Sequence, residues 1–526
     1  MLVLSALIVI HINTGATTMK KFLLMLLFPA ACLVAHAQTP CGESDVTTGN
    51  LPQRTPNNYT TISLPTQGAA VTDSDFSTST HCQYYRESTG SSCGAGCTTA
   101  TYHSYKYSPF NCADTLEIVG TPDIGDFEVI NVPSGTVYLA GALFGGNNNN
   151  QPMFAHCKSG TTATDQYTVY YINGTQLHSY RVDLRTDTLL HDFASDTVAC
   201  GTGGCSSVCF GCSSNGPHSG YAANGDDTIG ILAQGSNGNW YSFVYDMVNV
   251  RIWPGFTPIN NGTTRPDSNF SFPDHRMLMA PSACATYNLY DATGTLVHSL
   301  GNIANGNCVH SEAGTDNSGV DVLYYDNWAD TNPSNLCPEL GTGESSAGIT
   351  KITVDALVKT CVANNGWGGK HISVTQNGQY IATSNVTAIG APSDYSSCTE
   401  AFYQANPSIN WQQYFGRPPG EGLVPNEIDL ATTDGNTTYR MIHHQSRVMD
   451  SSNCTEAIDG SSYDYWAEPR SAISYSGKWI AFDSNYGQNP VSSPHNYTET
   501  WVVSTGLGSA SAGPPSAPTN LQATVQ

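Results

Sequence analysis

The sequence is poor in charged side chains, and especially in basic ones. Only 12% of its 526 residues are charged, and 19 basic against 42 acidic side chains give a formal net charge of −23. A negative excess opposes binding to the phosphates of nucleic acid or to anionic lipid. Neither partner is therefore expected.

Long apolar runs are missing beyond the N-terminus, so no membrane span is expected there. The N-terminus has the three parts of a secretory signal. Met19 begins the basic stretch MKK, the apolar run FLLMLLFPAACLV follows, and Ala35-His36-Ala37 is a small-residue cleavage site. We predict a signal peptide over residues 1–37, with the true start at Met19, and a secreted protein that is extracellular or periplasmic.

Several catalytic signatures are also missing. The sequence contains no Walker phosphate-binding loop, no GxGxxG and no HExxH. Their absence favours a binding protein over a nucleotide-dependent enzyme or a zinc protease.

What the sequence does contain is a series of short strand-like segments rich in Val, Ile, Tyr and Thr, separated by Gly, Asn and Asp turns. Two segments nearly superimpose: residues 371–385 read HISVTQNGQYIATSN, and residues 470–485 read RSAISYSGKWIAFDSN. Each predicts an alternating strand, a glycine turn and a second strand. Weaker copies of this hairpin occur at 102–120, 228–246 and 309–327, and outer strand pairs are predicted at 127–141, 178–193, 285–301 and 426–442.

A hairpin repeated along a chain is typical of β-propeller blades. The two best copies resemble the TolB/WD-like propellers, in which S-x-D/N-G-x-x-I/V-A-F marks the two inner strands of a blade. We predict an all-β propeller of about seven four-stranded blades, with six or eight allowed, over residues 101–505. Insertions are expected at 200–212 and 386–425. A large β-sandwich is the alternative.

The propeller is expected to have extensions at both ends. Residues 38–100 form a Cys-bearing extension that supplies either an outer strand closing the ring or a small cap. Residues 506–526 read as a Gly/Ser/Pro linker, and its last part, 515–526, resembles the opening strand of a fibronectin type III module; a disordered tail is the alternative.

Seventeen cysteines are present, and removing Cys32 with the signal leaves an even number, as a disulfide set requires. Disulfides are favoured over a zinc knuckle because an exported chain meets an oxidising environment. Their pairing stays open. The closely spaced candidates are Cys93, Cys97, Cys200, Cys205, Cys209 and Cys212.

Histidines begin several of the predicted inner strands, and such residues meet at one mouth of a propeller channel. We predict a ligand-binding rim there, of which His310, His371 and Glu468 are candidate ligands for Zn or Mn. Ordinary hydrogen bonding of each histidine to backbone is the alternative. The full predicted rim is His103, His310, His371, Tyr465, Trp466 and Glu468.

A second oxygen-rich segment, residues 316–321 (DNSGVD), is either a Ca²⁺ loop or an ordinary Asx turn.

The run HHQSR at 443–447, followed by Tyr465, Trp466, Glu468 and Arg470, is similar to the metal-binding region of oligogalacturonate lyases. That resemblance implies metal ligation by His443, His444 or Gln445, and a substrate carboxylate held by Arg447 or Arg470. The sequence directly before the inner strand, Ala-Glu-Pro-Arg, lacks the spaced histidines of those enzymes.

Two functions follow from these patterns. The first is a secreted propeller that binds a carbohydrate or an extracellular protein at its channel mouth. The alternative is a metal-assisted lyase or hydrolase of acidic polysaccharide, with His443, His444, Arg447 and Arg470 as catalytic candidates.

Overall fold

The computed structural model describes most of the chain beyond the N-terminus. Within this part, no helix is long and apolar enough to cross a membrane. The described residues are 39–45, 63–74, 76, 81–88, 108–121, 126–140, 144, 152–155, 165–210, 212–213, 216–217, 219–221, 228–266, 268–282, 286–301, 311–326, 349–363, 369–385, 427–446, 449–450, 455–456, 469–486 and 498–508.

Seven sheets of three to five strands follow one another along the chain, and we number them blades 1 to 7. Three N-terminal strands precede blade 1: β1 Glu43–Asp45, β2 Ala70–Thr72 and β3 Gln83–Arg86. Blade 1 has β4 Leu116–Thr121, β5 Asp126–Asn131 and β6 Thr136–Leu139, and blade 2 has β7 Met153–Phe154, β8 Thr168–Asn173, β9 Gln176–Arg181 and β10 Thr186–Asp192.

Blade 3 begins with β11 Cys205–Cys209, and three short strands follow before its second strand: β12 Cys212–Ser213, β13 Gly216–Pro217 and β14 Ser219–Tyr221. It continues with β15 Thr228–Gly235, β16 Trp240–Asp246, β17 Arg251–Ile252 and β18 Ile259–Asn260. The helices among the described residues precede β8 or β11: two 3-10 turns, Asp165–Tyr167 and Phe193–Ser195, and α1 Thr197–Cys200.

Blades 4 to 7 repeat one plan, in which the strands of each blade pair in the order of the chain. Blade 4 has β19 Ser268–Ser271, β20 Met277–Ala280, β21 Tyr287–Tyr290 and β22 Leu296–Gly301, with β14 parallel to β19; blade 5 has β23 Ser311–Thr315, β24 Asp321–Asp326, β25 Ile349–Thr353 and β26 Lys359–Ala363. Blade 6 has β27 Gly369–Val374, β28 Tyr380–Asn385, β29 Glu427–Thr432 and β30 Thr438–His443. A small hairpin, β31 Met449–Asp450 with β32 Thr455–Glu456, precedes blade 7, which has β33 Ala472–Ile473, β34 Trp479–Ser484 and β35 Glu499–Ser504.

The ring is closed by the N-terminal strands. Strand β3 pairs with β35, so blade 7 combines strands from the two ends of the described chain, and β2 extends it outward. Strand β1 likewise adds to β30 of blade 6. The three strands β1, β2 and β3, all from before position 101, therefore belong to sheets of the propeller.

Alternation of apolar and polar residues gives each blade two faces, and apolar side chains from facing blades pack together. One cluster joins blades 1 and 2, another joins blade 3 to blades 2 and 4, and three more join blades 4 to 7 in succession. A last cluster, containing Phe110 of blade 1 with Trp479 and Val502 of blade 7, completes the circle. Every blade therefore packs on two neighbours, as a closed propeller requires and a two-sheet sandwich does not.

The two ends of the strands are connected very differently. In blades 4 to 7 the turns at one end are short: 272–276, 291–295, 316–320, 354–358, 375–379, 433–437 and 474–478. The connections at the other end include five of 9 to 41 residues, 302–310, 327–348, 386–426, 444–471 and 485–498, and two short ones, 281–286 and 364–368. We call these the short-turn end and the long-connection end. Blades 2 and 3 differ, because 155–167 and 210–227 follow their inner strands.

Both hairpins that the sequence singles out are confirmed as the inner pairs of blades 6 and 7. Two expectations for blade 3 are wrong. Segment 228–246 forms its second and third strands, and the cysteine-rich segment 200–212 supplies its inner strand β11 instead of an insertion. The reason is that β15 and β16 are buried on both faces, so their apolar pattern resembles an inner hairpin.

Candidate functional site

The backbone positions of several predicted rim residues are at the long-connection end. The inner strands of blades 5, 6 and 7 begin at this end. The strand of blade 5 begins directly after His310, that of blade 6 begins two residues before His371, and that of blade 7 begins shortly after Arg470. Only Arg470 has a described side chain. The side chains of His103, His310, His371, Arg447, Tyr465, Trp466 and Glu468 lie outside the described residues, so their ligand-binding, metal-binding or catalytic roles stay predictions.

His443, the last residue of β30, is held between two carboxylates. Its Nδ1 donates to Oδ2 of Asp73 at 2.9 Å, and its backbone N–H donates to the same oxygen at 2.8 Å. Its Nε2 lies 3.7 Å from Oε1 of Glu427, the first residue of β29. All three side chains are buried. The imidazole therefore has one orientation, fixed by the N-terminal segment on one side and by blade 6 on the other.

Arg440 completes this network. Its Nε donates to Oε2 of Glu427 at 2.6 Å and its Nη2 donates to Oε1, so the guanidinium forms a two-pronged ion pair. The ring of Phe76 lies 5.8 Å from the guanidinium carbon and 4.7 Å from the ring of His443. Asp73 and Phe76 are not among the predicted site residues, because they lie about 370 residues away from their partners along the chain.

The next residues turn sharply at the long-connection end. Ser446 N–H donates to Nδ1 of His444 at 3.0 Å, which places the proton of a neutral imidazole on Nε2. Gln445 between them has a φ of +57°, a left-handed conformation that non-glycine residues seldom adopt. Its Nε2 is buried and has no hydrogen-bond partner among the described residues.

Arg470 lies inside the protein. Its side chain is 3% exposed, and its Nη1 is 3.9 Å from Oδ2 of Asp483 on β34. Nearby, Ser384 Oγ donates to the carbonyl of Pro469, and Ser471 N–H donates to Ser384 Oγ at 3.3 Å. These contacts fix the entry to the inner strand of blade 7 and leave the guanidinium facing a carboxylate of the protein.

An aromatic group also borders this end. Tyr486, at the start of the connection 485–498, stacks on Trp501 with ring centres 4.6 Å apart, and its hydroxyl is 3.2 Å from that of Tyr84. Burial raises the pKa of Tyr84 far above its usual value and that of Tyr486 to about 12, so both hydroxyls stay protonated. Trp501 is a packing residue of blade 7.

The described residues do not fit the metal site that the resemblance to the lyases implies. The Nδ1–H bond of His443 to Asp73 leaves Nε2 as the nitrogen that could ligate a metal, and this atom lies 3.7 Å from Oε1 of Glu427, a carboxylate that is already paired with Arg440. Nδ1 of His444 accepts a backbone hydrogen bond. No group of three His, Cys, Asp or Glu side chains able to hold a metal occurs in the described part of the chain.

The oxygen-rich segment 316–321 forms an Asx turn. Oδ1 of Asp316 accepts from the N–H groups of Ser318 and Val320 at 2.9 and 3.1 Å, and Oδ2 accepts from Nζ of Lys351 at 2.8 Å. Both carboxylate oxygens are therefore used by the protein itself.

Disulfides, which the cysteine pattern favours over a zinc site, are confirmed for the cysteines whose side chains the structure describes. Cys200 pairs with Cys205, and Cys209 is also disulfide-bonded. A pair that the spacing did not indicate, Cys41 with Cys82, lies beside the closing strand β3. Cys93, Cys97 and the side chain of Cys212 lie outside the described residues.

Comparison with known proteins adds little beyond the fold. No protein-family model and no curated protein matches the sequence. Among solved structures, an oligogalacturonate lyase from Vibrio parahaemolyticus is 8% identical, with a TM-score of 0.48 over 88% of this chain and 98% of that one. The Pan2 WD40 domain of Neurospora crassa is 10% identical, with a TM-score of 0.39 over 80% of this chain and 95% of that one. TolB from Acinetobacter baumannii is 9% identical, with a TM-score of 0.30 over 66% of this chain and 64% of that one. At such identities and scores, the fold assignment rests on the strand pairing described above.

Proposed function

We propose that this protein is an exported binding propeller whose ligand, a carbohydrate or an extracellular protein, is held at the long-connection end. The observation that carries the proposal is the asymmetry of the connections in blades 4 to 7. Binding residues are carried disproportionately on loops that a rigid scaffold positions, whereas short turns mainly serve the scaffold. Among the predicted rim residues, His310 ends the connection 302–310, and Tyr465, Trp466 and Glu468 belong to the connection 444–471.

The opposite end supports this division, because polar contacts clamp neighbouring blades together there. Arg276 of blade 4 donates to Asp321 of blade 5 at 2.7 Å, Lys351 of blade 5 donates to the carbonyl of Thr433 of blade 6 at 2.9 Å, and Trp479 of blade 7 donates to the carbonyl of Asp114 of blade 1 at 3.2 Å. Contacts of this kind stiffen the ring and leave little side-chain freedom for a ligand.

Export is part of the proposal. Disulfides such as Cys41–Cys82 and Cys200–Cys205 persist in oxidising compartments, and the N-terminal sequence has the form of a signal peptide. The net charge of −23 favours neutral or cationic ligands over acidic polymers.

The test is affinity gel electrophoresis of the mature chain, residues 38–526, in gels containing a neutral glucan, a neutral xylan, cationic chitosan or acidic polygalacturonate. We expect retardation by a neutral or cationic polymer, and we expect Tyr465→Ala with Trp466→Ala at the long-connection end to remove it. Leu357→Ala with Val358→Ala is the matched control, since both residues are exposed on a short turn of blade 5.

If the control variant loses retardation and the aromatic variant keeps it, the ligand binds at the short-turn end and the proposal is overturned. If none of the polymers retards the protein, the carbohydrate ligand is excluded. The protein ligand is then tested by chemical cross-linking on intact cells, with the same two variant pairs deciding which end is used.

A further inference from the structure

Residues 41–82, which we call the strap, contact both blade 6 and blade 7. Its strand β1 pairs with β30 of blade 6, and its strand β2 pairs with β3, the closing strand of blade 7. The disulfide between Cys41 and Cys82 joins the two ends of the strap, two residues before β1 and directly before β3. One covalent bond therefore ties the strand that extends blade 6 to the strand that closes blade 7.

The backbone at the first end of the strap is fitted to both blades. The N–H of Cys41 donates to the carbonyl of Thr505, directly after β35 of blade 7, at 2.8 Å. Gly42 has a φ of +93°, and a Cβ there would clash with the carbonyl oxygen of Arg440 on blade 6. Glycine is therefore needed for its conformation and for the close approach. This end of the strap docks across the junction of the two blades.

The strap also holds His443 in place. Asp73, directly after β2, accepts from the backbone N–H of His443 at 2.8 Å and from its Nδ1 at 2.9 Å. The ring of Phe76 lies 4.7 Å from the imidazole. The orientation of His443, where β30 leads into the connection 444–471, therefore depends on a docked strap.

Short strands hold the strap to the ring. Strands β1 and β2 have three residues each, and β1 and β3 pair with strands that lie about 400 residues later in the chain. Docking must therefore offset the entropy of closing a very long loop. The disulfide links positions that are 41 residues apart, so it removes much of the conformational freedom of an undocked strap. It favours the docked state for this reason.

The disulfide lies inside the apolar cluster that joins blades 6 and 7. Cys41 and Cys82 are 7% and 2% exposed, and the cluster includes Met441 and Ile442 of β30 and Trp501 of β35. A thiol in solution can reach either sulfur only after the strap has left this cluster. Oxidation of the two cysteines and docking of the strap therefore support each other.

We propose that Cys41 and Cys82 form a redox latch, which closes the ring and orders His443 only when the two cysteines are oxidised. In the reduced chain the strap is undocked. One cysteine thiolate attacks a small-molecule disulfide such as oxidised glutathione, which forms a mixed disulfide and releases one glutathione thiolate. The other cysteine thiolate then attacks the protein sulfur of the mixed disulfide, which forms the Cys41–Cys82 bond and releases the second glutathione thiolate. The two electrons lost by the cysteines go to glutathione, and the two released thiolates take up the protons that the cysteines lost.

The experiment is hydrogen exchange followed by mass spectrometry on the mature chain, residues 38–526, with and without the latch. In Cys41→Ala with Cys82→Ala we expect protection of the peptides containing β1, β3, β30 and β35 to fall by roughly a hundredfold, as is typical for the loss of a disulfide. Peptides containing β20 and β21 of blade 4, or β24 and β25 of blade 5, should keep their protection.

Cys200→Ala with Cys205→Ala is the matched control. This disulfide is also buried, but it joins positions only 5 residues apart beside the inner strand of blade 3. We expect the control variant to keep the protection of β1, β3, β30 and β35.

A glutathione titration of the wild type separates the oxidation state from the packing that the alanine variant loses. Labelling with N-ethylmaleimide, followed by peptide mass spectrometry, gives the fraction of Cys41 and Cys82 that is reduced in each mixture of reduced and oxidised glutathione. We expect the loss of protection at β3 and β30 to follow this fraction and to reverse on reoxidation.

Full protection of β3 and β30 with Cys41 and Cys82 reduced would overturn the proposal. A loss of protection in the titration that is equal in all seven blades would overturn it as well, because the disulfide would then stabilise the whole fold and not the closure. If the alanine variant does not fold, the titration of the wild type decides. Neither measurement needs a ligand, so the proposal is tested independently of binding at the long-connection end.

Discussion

The buried guanidinium of Arg440 forms a two-pronged ion pair with the carboxylate of Glu427, and this makes the pair sensitive to the loss of either partner. Both side chains have 0% exposure. Arg440→Met leaves Glu427 without its main counter-charge in the interior, so we expect the free energy of unfolding to fall by about 3–5 kcal/mol. Chemical denaturation of the mature protein with its disulfides intact measures this change.

The double variant Arg440→Met with Glu427→Leu is the control for that prediction. Replacing a whole buried ion pair by apolar residues of similar volume is often close to neutral, so most of the lost stability should return. If the double variant is as unstable as Arg440→Met alone, the loss comes from packing against Phe76 and not from the unpaired charge.

The contribution of Asp114 to the stability of the folded protein depends on pH. Burial raises its pKa to about 6, although its hydrogen bond with Ser476 acts to lower it. Because the folded-state pKa is raised above the ordinary value of 3.8, stability is lost as the pH rises from about 4 to about 6. Asp114→Asn removes the titrating group and suits the φ of +53° at this position.

We therefore expect the difference in Tm between Asp114→Asn and the wild type to grow in favour of the variant between pH 4 and pH 6.5. Thermal unfolding followed by circular dichroism measures this. Asp183→Asn, between β9 and β10, should give nearly parallel curves over the same range, because the hydrogen bond from Arg181 holds the pKa of Asp183 below its ordinary value of 3.8. A constant Tm difference for Asp114→Asn would contradict the titration.

At the scale of elements, turns at the short-turn end require glycine for two different reasons: a positive φ, and a lack of space for a side chain. Gly378 and Gly319 occupy equivalent turns of blades 6 and 5, with φ of +66° and +75°. A Cβ at Gly378 would lie 2.4 Å from the carbonyl oxygen of Thr315, whereas nothing lies within 4 Å at Gly319. Gly319→Ala therefore costs only the backbone penalty of about 1 kcal/mol, and Gly378→Ala costs distinctly more.

Chemical denaturation of the two alanine variants checks this ranking. Equal losses would mean that the turns of blades 5 and 6 are not pressed together as the structure shows.

Elements with strong local patterns could be predicted from the sequence, and those fixed by distant contacts could not. The hairpins at 371–385 and 470–485 were predictable because alternation and a turn glycine determine them locally. Strand β11, with the sequence CSSVC, has little apolar alternation and was mistaken for part of an insertion. The run HHQSR and its resemblance to the lyases indicate His443, but no local pattern indicates its partner Asp73, because the two residues pair across 370 positions.

At the scale of the whole molecule, closure links the N-terminal segment to function. The same segment that supplies β1, β2 and β3 also supplies Asp73 and Phe76 to the His443 network. The disulfide Cys41–Cys82 holds the ends of this segment together. Ring closure and the geometry beside the long connections therefore depend on one piece of chain.

The metal content of the purified mature protein separates the binding propeller from the lyase alternative. We expect elemental analysis by plasma mass spectrometry to find no stoichiometric Zn or Mn, because Nε2 of His443 lies beside a carboxylate that is already paired with Arg440, and Nδ1 of His444 accepts a backbone hydrogen bond. His310→Ala and His371→Ala should then match the wild type, before and after incubation with either metal followed by desalting. One equivalent of metal that is lost in both variants would establish a shared rim site. Polymers containing uronic acids would then be the first substrates to assay, since the lyase reaction needs a cation to neutralise the substrate carboxylate.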